Sequence, residues 1–270
     1  MTISFLIIKI LEYAGEYEKY IYIYFDSRVK GHFNSRIKEH CESVIKSDLF
    51  KWKYLIRKYD FKDYINECLS SDNIEVVKLG NENGATDFDE CLESNNIEVI
   101  KLGIENGATN FDICLCSDNI DIVKLGIQKG AFNFNNCLWS SNIEVVKLGI
   151  QKGATNFNRC LGSDNMEIVK LGIRNRATYF NRCLDSNNIE IVKLGIQNGA
   201  TDFNRCLDSN NIEIVKLGIE RGADDFDRCL LSDNIEVVKL GIEKGASAIS
   251  LLLNSNNIEK ILFGLKYAIY

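Results

Sequence analysis

Apolar residues recur along most of this chain in a pattern that repeats every 23 residues. In one copy, the segment "NIEIVKLGIQNGA" places Ile189, Val192 and Ile196 at positions i, i+3 and i+7, which is the spacing of one helix face. The pattern predicts an α-helix of roughly three turns. Asn188 and the polar residues before it suit the start of this helix, and Gly199 suits a left-handed residue after its end.

A second, shorter helix is predicted after the glycine. In "ATDFNRCLD" the residues Phe203, Cys206 and Leu207 fall at i, i+3 and i+4, which gives about two helical turns with one apolar stripe. A helix this short is not stable alone and must pack on its neighbours. Each copy is therefore a helical hairpin, and the fixed period predicts an all-α solenoid of stacked helix-turn-helix repeats.

The repeat also sets the expected domain organisation. Eight full copies cover residues 71–254, and a degenerate copy covers 47–70. Residues 255–270 replace the pattern, and we expect them to cap the array through Phe263, Leu265 and Tyr267. The solenoid is thus expected over 47–270, after a helical N-terminal segment over 1–46.

Composition narrows the class of protein. The 270 residues are 46% hydrophobic and 26% charged, which is typical of a globular chain, and the net charge of −6 gives no overall basic surface for nucleic acid. The apolar run from Ile3 to Leu11 is too short to span a bilayer, and no basic segment precedes it. We therefore expect an intracellular, cytoplasmic protein with reduced cysteines and no membrane partner.

One cysteine occurs at the same position of each short helix. Neighbouring stacked helices lie about 8–10 Å apart, which is too far for a disulfide or for a shared zinc ion. We interpret these residues as small, buried, apolar thiols. They are Cys68, Cys91, Cys114, Cys137, Cys160, Cys183, Cys206 and Cys229.

Glycine occupies the middle of every long helix, for example at Gly195. A mid-helix glycine costs about 1 kcal/mol relative to alanine, so its recurrence predicts close approach of a neighbouring helix. Copying of a tolerated residue by duplication is the alternative. A second glycine closes each long helix, except that Arg176 takes this position in one copy, which predicts a weak point there.

The segment "CLDSNNIEIVKLGIQNGAT" resembles the second half of an ankyrin repeat, and the resemblance extends from residue 68 to about 264. The ankyrin unit has 33 residues, and the ten missing here would carry its β-hairpin finger and its threonine-proline start. The resemblance implies a divergent, hairpin-less ankyrin-like solenoid that acts as a non-catalytic protein–protein interaction scaffold. The near-identical copies are similar to ankyrin families expanded in large DNA viruses of protists, which would place the chain in a host cytoplasm.

Two surface columns are candidates for binding. Glutamate or aspartate pairs with lysine at i,i+3 on each long helix, which is typical of a solvated face. Arginines recur on the short helices from the middle of the array onward, with Asn158, Asn181 and Asn204 beside them. They suit an acidic peptide or a phosphate backbone, although duplication alone would also produce the column Arg159, Arg182, Arg205 and Arg228.

The residue after each Cys-Leu pair changes from copy to copy, and aromatic residues interrupt other polar positions. Exposed aromatics are frequent anchors of protein interfaces. Phe132, Trp139 and Tyr179 are therefore candidate partner contacts, with local packing as the alternative.

No catalytic, cofactor-binding or metal-binding constellation is apparent. The two histidines, His32 and His40, lie outside the repeats, and no nucleophile has an evident partner. We expect a chain that is not an enzyme and needs no cofactor.

Residues 3–37 carry a separate resemblance. The segments "IIKILEYA" and "SRVKGHF", with a break at Gly15, are similar to an F-box, a helical module that docks onto the Skp adaptor of cullin ubiquitin ligases. The usual leucine-proline opening is missing, and a simple helical cap is the alternative. The sequence thus leaves three hypotheses: a scaffold for an unidentified protein, an F-box-like substrate adaptor, and a nucleic-acid or acidic-ligand binder through the arginines.

Overall fold

A computed structural model describes residues 62–255 and 257–268, and every regular element in this part is a helix. Short 3₁₀ helices alternate with longer α-helices. The short helices are Lys62–Cys68 (η1), Phe88–Glu93 (η2), Phe111–Cys116 (η3), Phe134–Trp139 (η4), Phe157–Gly162 (η5), Phe180–Asp185 (η6), Phe203–Asp208 (η7) and Phe226–Leu231 (η8). The long helices are Ile74–Glu82 (α1), Ile97–Glu105 (α2), Ile120–Gln128 (α3), Ile143–Gln151 (α4), Met166–Arg174 (α5), Ile189–Gln197 (α6), Ile212–Glu220 (α7) and Ile235–Lys244 (α8). Two more α-helices follow, Ser250–Leu253 (α9) and Ile258–Ala268 (α10).

The regular alternation of helix pairs confirms the predicted all-α solenoid. Contacts divide the chain into two compact units, of which the first ends at Phe132 and the second begins at Asn133. Within each unit, a short helix packs against the long helix that follows it, and consecutive pairs pack side by side. The N-terminal segment 1–46 and most of the degenerate copy 47–70 lie outside the described residues, so these boundaries stay predictions.

Each long helix from α1 to α8 begins at an asparagine cap. In α6 the side chain of Asn188 accepts a hydrogen bond from the N–H of Glu190, and the hydroxyl of Ser186 accepts from the N–H of Asn188 at 3.1 Å. These bonds satisfy backbone donors that have no partner inside the helix, and an asparagine cap typically contributes about 1 kcal/mol. The predicted polar start of the long helix is confirmed.

The end of each long helix turns through a left-handed residue. After α6, Gly199 has φ 99°, and the N–H of Ala200 donates to the carbonyl of Gly195 at 3.0 Å. This is the Schellman arrangement, in which the chain reverses direction behind the last helical turn. Arg176 takes the same conformation with φ 68°, and it is the one non-glycine residue with positive φ in the part of the chain that the structure describes.

The short helices have the predicted length of two turns but the 3₁₀ hydrogen-bonding pattern. Because a 3₁₀ helix has 3.0 residues per turn, Phe203 and Cys206 lie on one side of η7, one turn apart. Cys206 and the adjacent Leu207 have no exposed surface, and Phe203 is half-buried. In a six-residue segment the i→i+3 pattern closes one more hydrogen bond than the α-helical pattern, which favours the tighter helix.

The core is continuous from one repeat to the next within a unit. Leu184, Val192 and Ala200 of one repeat are in one buried cluster with Cys206 and Ile214 of the following repeat. Neither repeat could bury these apolar side chains alone, since each supplies only part of the cluster. Stacking of neighbours therefore supplies the stability of the short helices.

Side-chain hydrogen bonds join neighbouring long helices at their starts. In the first unit, the carboxylate of Asp72 accepts from the hydroxyl of Ser94 at 2.6 Å and from the N–H of Asn95 at 2.9 Å. The backbone carbonyl of Asp72 accepts from the side chain of Asn96 at 3.0 Å. The polar "SNN" and "SDN" segments thus cap one helix and hold the next in register.

The C-terminal helix α10 closes the last core cluster only in part. Phe263 packs against the buried residues of this cluster, among them Leu252. Leu265 and Tyr267 are 45% and 41% exposed, and the Tyr267 ring lies 5.0 Å from the Phe263 ring. Their part in capping the array stays a prediction. Lys260 is buried instead, and its ammonium group donates to the carbonyl of Leu231 at 3.2 Å.

Among the helices of the described residues, none has both the length and the apolar composition that crossing a bilayer requires.

Candidate partner-binding site

The outward side of the short helices carries the residues that differ most between repeats. The residue that follows the buried Cys-Leu pair is exposed in all seven repeats from Cys91 to Cys229. We call these positions the variable column: Glu93, Cys116, Trp139, Gly162, Asp185, Asp208 and Leu231. The fold fixes the positions of these exposed side chains, and it places almost no constraint on the residue type at each position.

Two of the four predicted arginines are paired with carboxylates of the chain. Arg205 contacts Asp185 of the variable column at 2.6 Å and Asp202 at 3.0 Å. Partial desolvation lowers the pKa of Arg205, but the hydrogen bonds to Asp185 and Asp202 and the negative charge of Asp185 outweigh it and raise this pKa above its ordinary value. The positive charge of Arg205 is therefore already compensated by carboxylates of the chain.

Arg228 repeats this arrangement one repeat later. It contacts Asp208 at 3.3 Å and Asp225 at 3.8 Å, and it donates to the carbonyl of Asn204 at 3.3 Å. Burial raises the pKa of Asp208, and the charge of Arg228 lowers it. Half of the predicted arginine ladder is thus an internal ion-pair network.

Arg159 and Arg182 have different surroundings. Their guanidinium carbons lie 5.2 Å and 4.6 Å from the centre of the Trp139 ring. Arg159 also donates from Nη1 to the carbonyl of Asn135 at 2.7 Å and to the side-chain oxygen of Asn136 at 3.2 Å. Neither arginine forms an ion pair with any residue that the structure describes. We call Trp139, Arg159 and Arg182 the arginine–tryptophan patch.

Arg182 lies beside Gly162, the position of the variable column that has no side chain. A Cβ added to Gly162 would lie 3.5 Å from Nε of Arg182. Each arginine faces the variable-column residue 20 positions earlier, and for Arg182 that residue is Gly162. This spacing of 20 was present in the sequence, and it would have identified Asp185 and Asp208 as partners of the later arginines.

The three predicted aromatic contacts are exposed: Phe132 by 78%, Trp139 by 51% and Tyr179 by 49%. Phe132 belongs to the first unit, and its backbone N–H donates to Asp112 at 2.7 Å. Phe132 has the most exposed ring of the three, whereas Trp139 both packs on arginines and faces solvent. Their role as partner contacts stays a prediction. Leu231, which the sequence did not single out, is 62% exposed.

The asparagines beside the arginines are engaged within the fold. The side-chain oxygen of Asn158 accepts from the backbone N–H groups of Thr178 and Tyr179 in the next repeat, at 2.7 Å and 2.9 Å. Asn181 and Asn204 make the corresponding bonds one and two repeats later. Their side-chain oxygens join neighbouring repeats, and the suggested role in gripping a ligand stays a prediction.

The acidic and lysine residues of the long helices form surface ion pairs, as predicted. The Lys193–Glu190 distance is 2.8 Å, and both side chains are at least half exposed. Pairs of this kind contribute only tenths of a kcal/mol.

The eight column cysteines are fully buried, as predicted. Burial raises the pKa of the Cys183 thiol to about 11, and the nearby charge of Asp185 adds to the effect. A thiol with such a pKa is protonated at neutral pH and is a poor nucleophile or metal ligand. No group of three histidine, cysteine or acidic residues in the described part could hold a metal ion. His32 and His40 lie outside the described residues.

No protein-family model matches this sequence, and no curated protein matches it. Among solved structures, the chain is similar to a designed armadillo repeat protein, with 17% identity, a TM-score of 0.16, and coverage of 93% of this chain and 97% of that one. An engineered protein known from a crystal structure gives 17% identity, a TM-score of 0.15, and coverage of 94% and 97%. At these TM-scores the likeness carries no argument about function.

Proposed function

We propose that this chain is a non-catalytic scaffold that binds another protein through the exposed side of its short helices. One observation carries the proposal. The variable column holds six residue types in seven repeats, while the cysteine and leucine immediately before it are the same in all seven. The exposed position is thus free to differ at every step along an otherwise constant framework.

The framework suits this task physically. Caps at both ends of each long helix and hydrogen bonds between repeats hold the exposed residues on rigid elements. Binding to a preorganised surface loses little conformational entropy, so several modest contacts can add to a useful affinity. Exposed Trp139 and Leu231 supply apolar contact area, and aromatic residues dominate the energetics of many protein interfaces.

The two alternative functions have less support. A nucleic-acid interface would need a continuous cationic surface, and the carboxylates beside Arg205 and Arg228 interrupt it. The F-box-like adaptor hypothesis concerns residues 3–37, which lie outside the described residues, and it stays a prediction. Ankyrin-like ancestry, a viral source and a cytoplasmic location also stay predictions.

Affinity capture with three forms of the full-length chain tests the proposal. The first is the natural sequence, the second carries Trp139→Ser with Leu231→Ser in the variable column, and the third carries Lys147→Gln with Lys216→Gln on the long helices. Circular dichroism checks that all three fold. We expect the natural and lysine-substituted chains to capture the same protein from a lysate of the source cells, and the column variant to lose it. Equal capture by all three, or no specific protein with any of them, would contradict the proposal.

A further inference from the structure

Two arginines on the short helices are held in place without an ion pair to any carboxylate that the structure describes. In the second unit, the arginine position is occupied in four consecutive repeats, and the two later arginines each contact two carboxylates of the chain. At the two earlier ones the variable column supplies Trp139 and Gly162 instead of aspartate. The same backbone site thus changes from an ion-pair network with more carboxylates than arginines to a pair of cations that contact no carboxylate of the described residues.

The Trp139 ring orders these cations. A guanidinium within about 6 Å of a tryptophan ring is attracted to the face of the ring, and both Arg159 and Arg182 satisfy this distance. The hydrogen bonds of Arg159 to Asn135 and Asn136 further fix its position. Each guanidinium has five N–H donors. The guanidinium of Arg182 lies against the Trp139 ring and makes no hydrogen bond to a side chain or carbonyl of the described residues. The donors are therefore preorganised for an external acceptor.

The chemistry of the acceptor follows from the guanidinium group. Its planar fork matches the two oxygens of a carboxylate or of a phosphate. A long phosphate backbone would have to continue past the patch along a surface where Asp185, Asp202 and Asp208 occupy the neighbouring positions. A short acidic peptide needs only the two arginines and can end there. The net charge of −6 also opposes a polyanion more strongly than a peptide with two carboxylates.

We propose that the arginine–tryptophan patch is a subsite for an acidic peptide segment of a partner protein, whose carboxylates pair with Arg159 and Arg182. This inference rests on the proposed scaffold function and names the chemistry of its partner. Gly162 determines the specificity, because any carboxylate at that position would pair with Arg182 and close the subsite. Trp139 positions the two guanidinium groups and offers its exposed edge to an apolar residue of the peptide.

The test uses the full-length chain and a fluorescein-labelled decapeptide that alternates glutamate and glycine, with fluorescence anisotropy as the readout. The first variant is Gly162→Asp, which places an aspartate where Asp185 and Asp208 stand in later repeats and is therefore compatible with the fold. The second is Arg182→Gln. The matched control is Arg228→Gln, which changes the net charge by the same amount at an arginine that is already paired.

We expect Gly162→Asp and Arg182→Gln each to weaken peptide binding by about tenfold or more, the loss of one charge-assisted bidentate pair. Arg228→Gln should change it less than about twofold, since its charge is already compensated. Equal losses in all three variants would show that only net charge matters and would overturn the proposal. Tighter binding of a single-stranded oligonucleotide of equal charge would overturn it in favour of nucleic acid.

Failure of this subsite and failure of the scaffold function give different results. If the peptide does not bind the natural chain but the captured partner still depends on Trp139 and Leu231, the acidic-peptide subsite is wrong and the scaffold function stands. If the peptide binds as expected but capture is the same for all variants, the subsite stands and the scaffold proposal is wrong.

Discussion

Gly195, in the middle of α6, faces Cys183 of the preceding short helix so closely that a Cβ on the glycine would lie 2.5 Å from the Cβ of the cysteine. It would also lie 3.2 Å from the carbonyl oxygen of Phe180. The same pairing of a mid-helix glycine with a cysteine recurs in each of the eight repeats from Gly80 to Gly241. The short and long helices of a pair are thus joined where one has no side chain and the other has a small one.

We expect Gly195→Ala to destabilise the protein by about 1–3 kcal/mol, because the added methyl group overpacks a contact between two backbones. Urea unfolding measures the change, with Lys193→Ala on the exposed side of the same helix as the control. The control should stay within about 0.5 kcal/mol of the natural chain. Stabilisation by about 1 kcal/mol, as for a glycine without close neighbours, would show that duplication alone explains the column.

Arg176 is a second site at which the direction of the stability change can be predicted. Its backbone is left-handed, a conformation that costs a residue with a side chain about 1 kcal/mol. Arg176→Gly should therefore raise the free energy of unfolding by about 0.5–1 kcal/mol. The reverse change at an equivalent position, Gly199→Arg, should lower it by a similar amount. A shift of the free energy of unfolding in the same direction for both substitutions would contradict this prediction.

Substitutions of Asn158 test the hydrogen bonds that join neighbouring repeats. Asn158→Ala leaves two backbone N–H groups without their acceptor, and we expect a loss of about 1–2 kcal/mol in thermal or urea unfolding. Asn158→Asp keeps the accepting oxygen, and Asp89 already makes this bond to the N–H of Thr109 at 2.6 Å. The aspartate variant should therefore retain most of the stability. Equal losses in both variants would mean that the bond itself contributes little.

The buried thiols predict a pH dependence. The pKa of Cys183 is about 11 in the folded chain, whereas a thiol in an unfolded chain ionises near pH 8.5. The stability that Cys183 contributes is fully present below about pH 8.5 and is lost as the pH rises toward 11, because ionisation then favours the unfolded state.

The destabilisation caused by Cys183→Ala should therefore shrink between pH 7 and pH 10, by roughly 2 kcal/mol at about 1.4 kcal/mol per pH unit above 8.5. Urea unfolding under reducing conditions measures it. The cost of Val192→Ala, which removes no ionisable group, should stay constant over this range. A cost of Cys183→Ala that does not change with pH would show that the thiol can ionise within the folded chain.

The repeating framework could be predicted from the sequence because each of its features is a local pattern. The spacing of Ile189, Val192 and Ile196 defined the long helix, Asn188 defined its start, and Gly199 defined its end. The recurrence of glycine where the helix would favour alanine correctly indicated close packing. The 3₁₀ form of the short helices was missed, since positions i and i+3 share a face in both kinds of helix.

The binding surface was harder to predict, because it depends on contacts between repeats. The four arginines looked equivalent in sequence, yet two are paired with aspartates and two lie against Trp139. Each of the two paired arginines contacts the aspartate 20 residues before it, although the repeat is 23 residues long. An arginine therefore contacts a different position of the preceding repeat and not its own equivalent. Gly162 looked unremarkable in the sequence, and only its position beneath Arg182 gives it a role.

The central claim is that the residues of the variable column bind the partner, while the buried and capping residues of the repeats maintain the fold. The most direct test is the dissociation constant of the captured partner for a chain with Trp139→Asp and Asp185→Trp, which exchanges two column residues at constant composition and charge. We predict that affinity falls by at least about tenfold, as for the loss of an anchoring aromatic residue. The free energy of unfolding should stay within about 1 kcal/mol of the natural chain. Unchanged affinity in this folded variant would contradict the account.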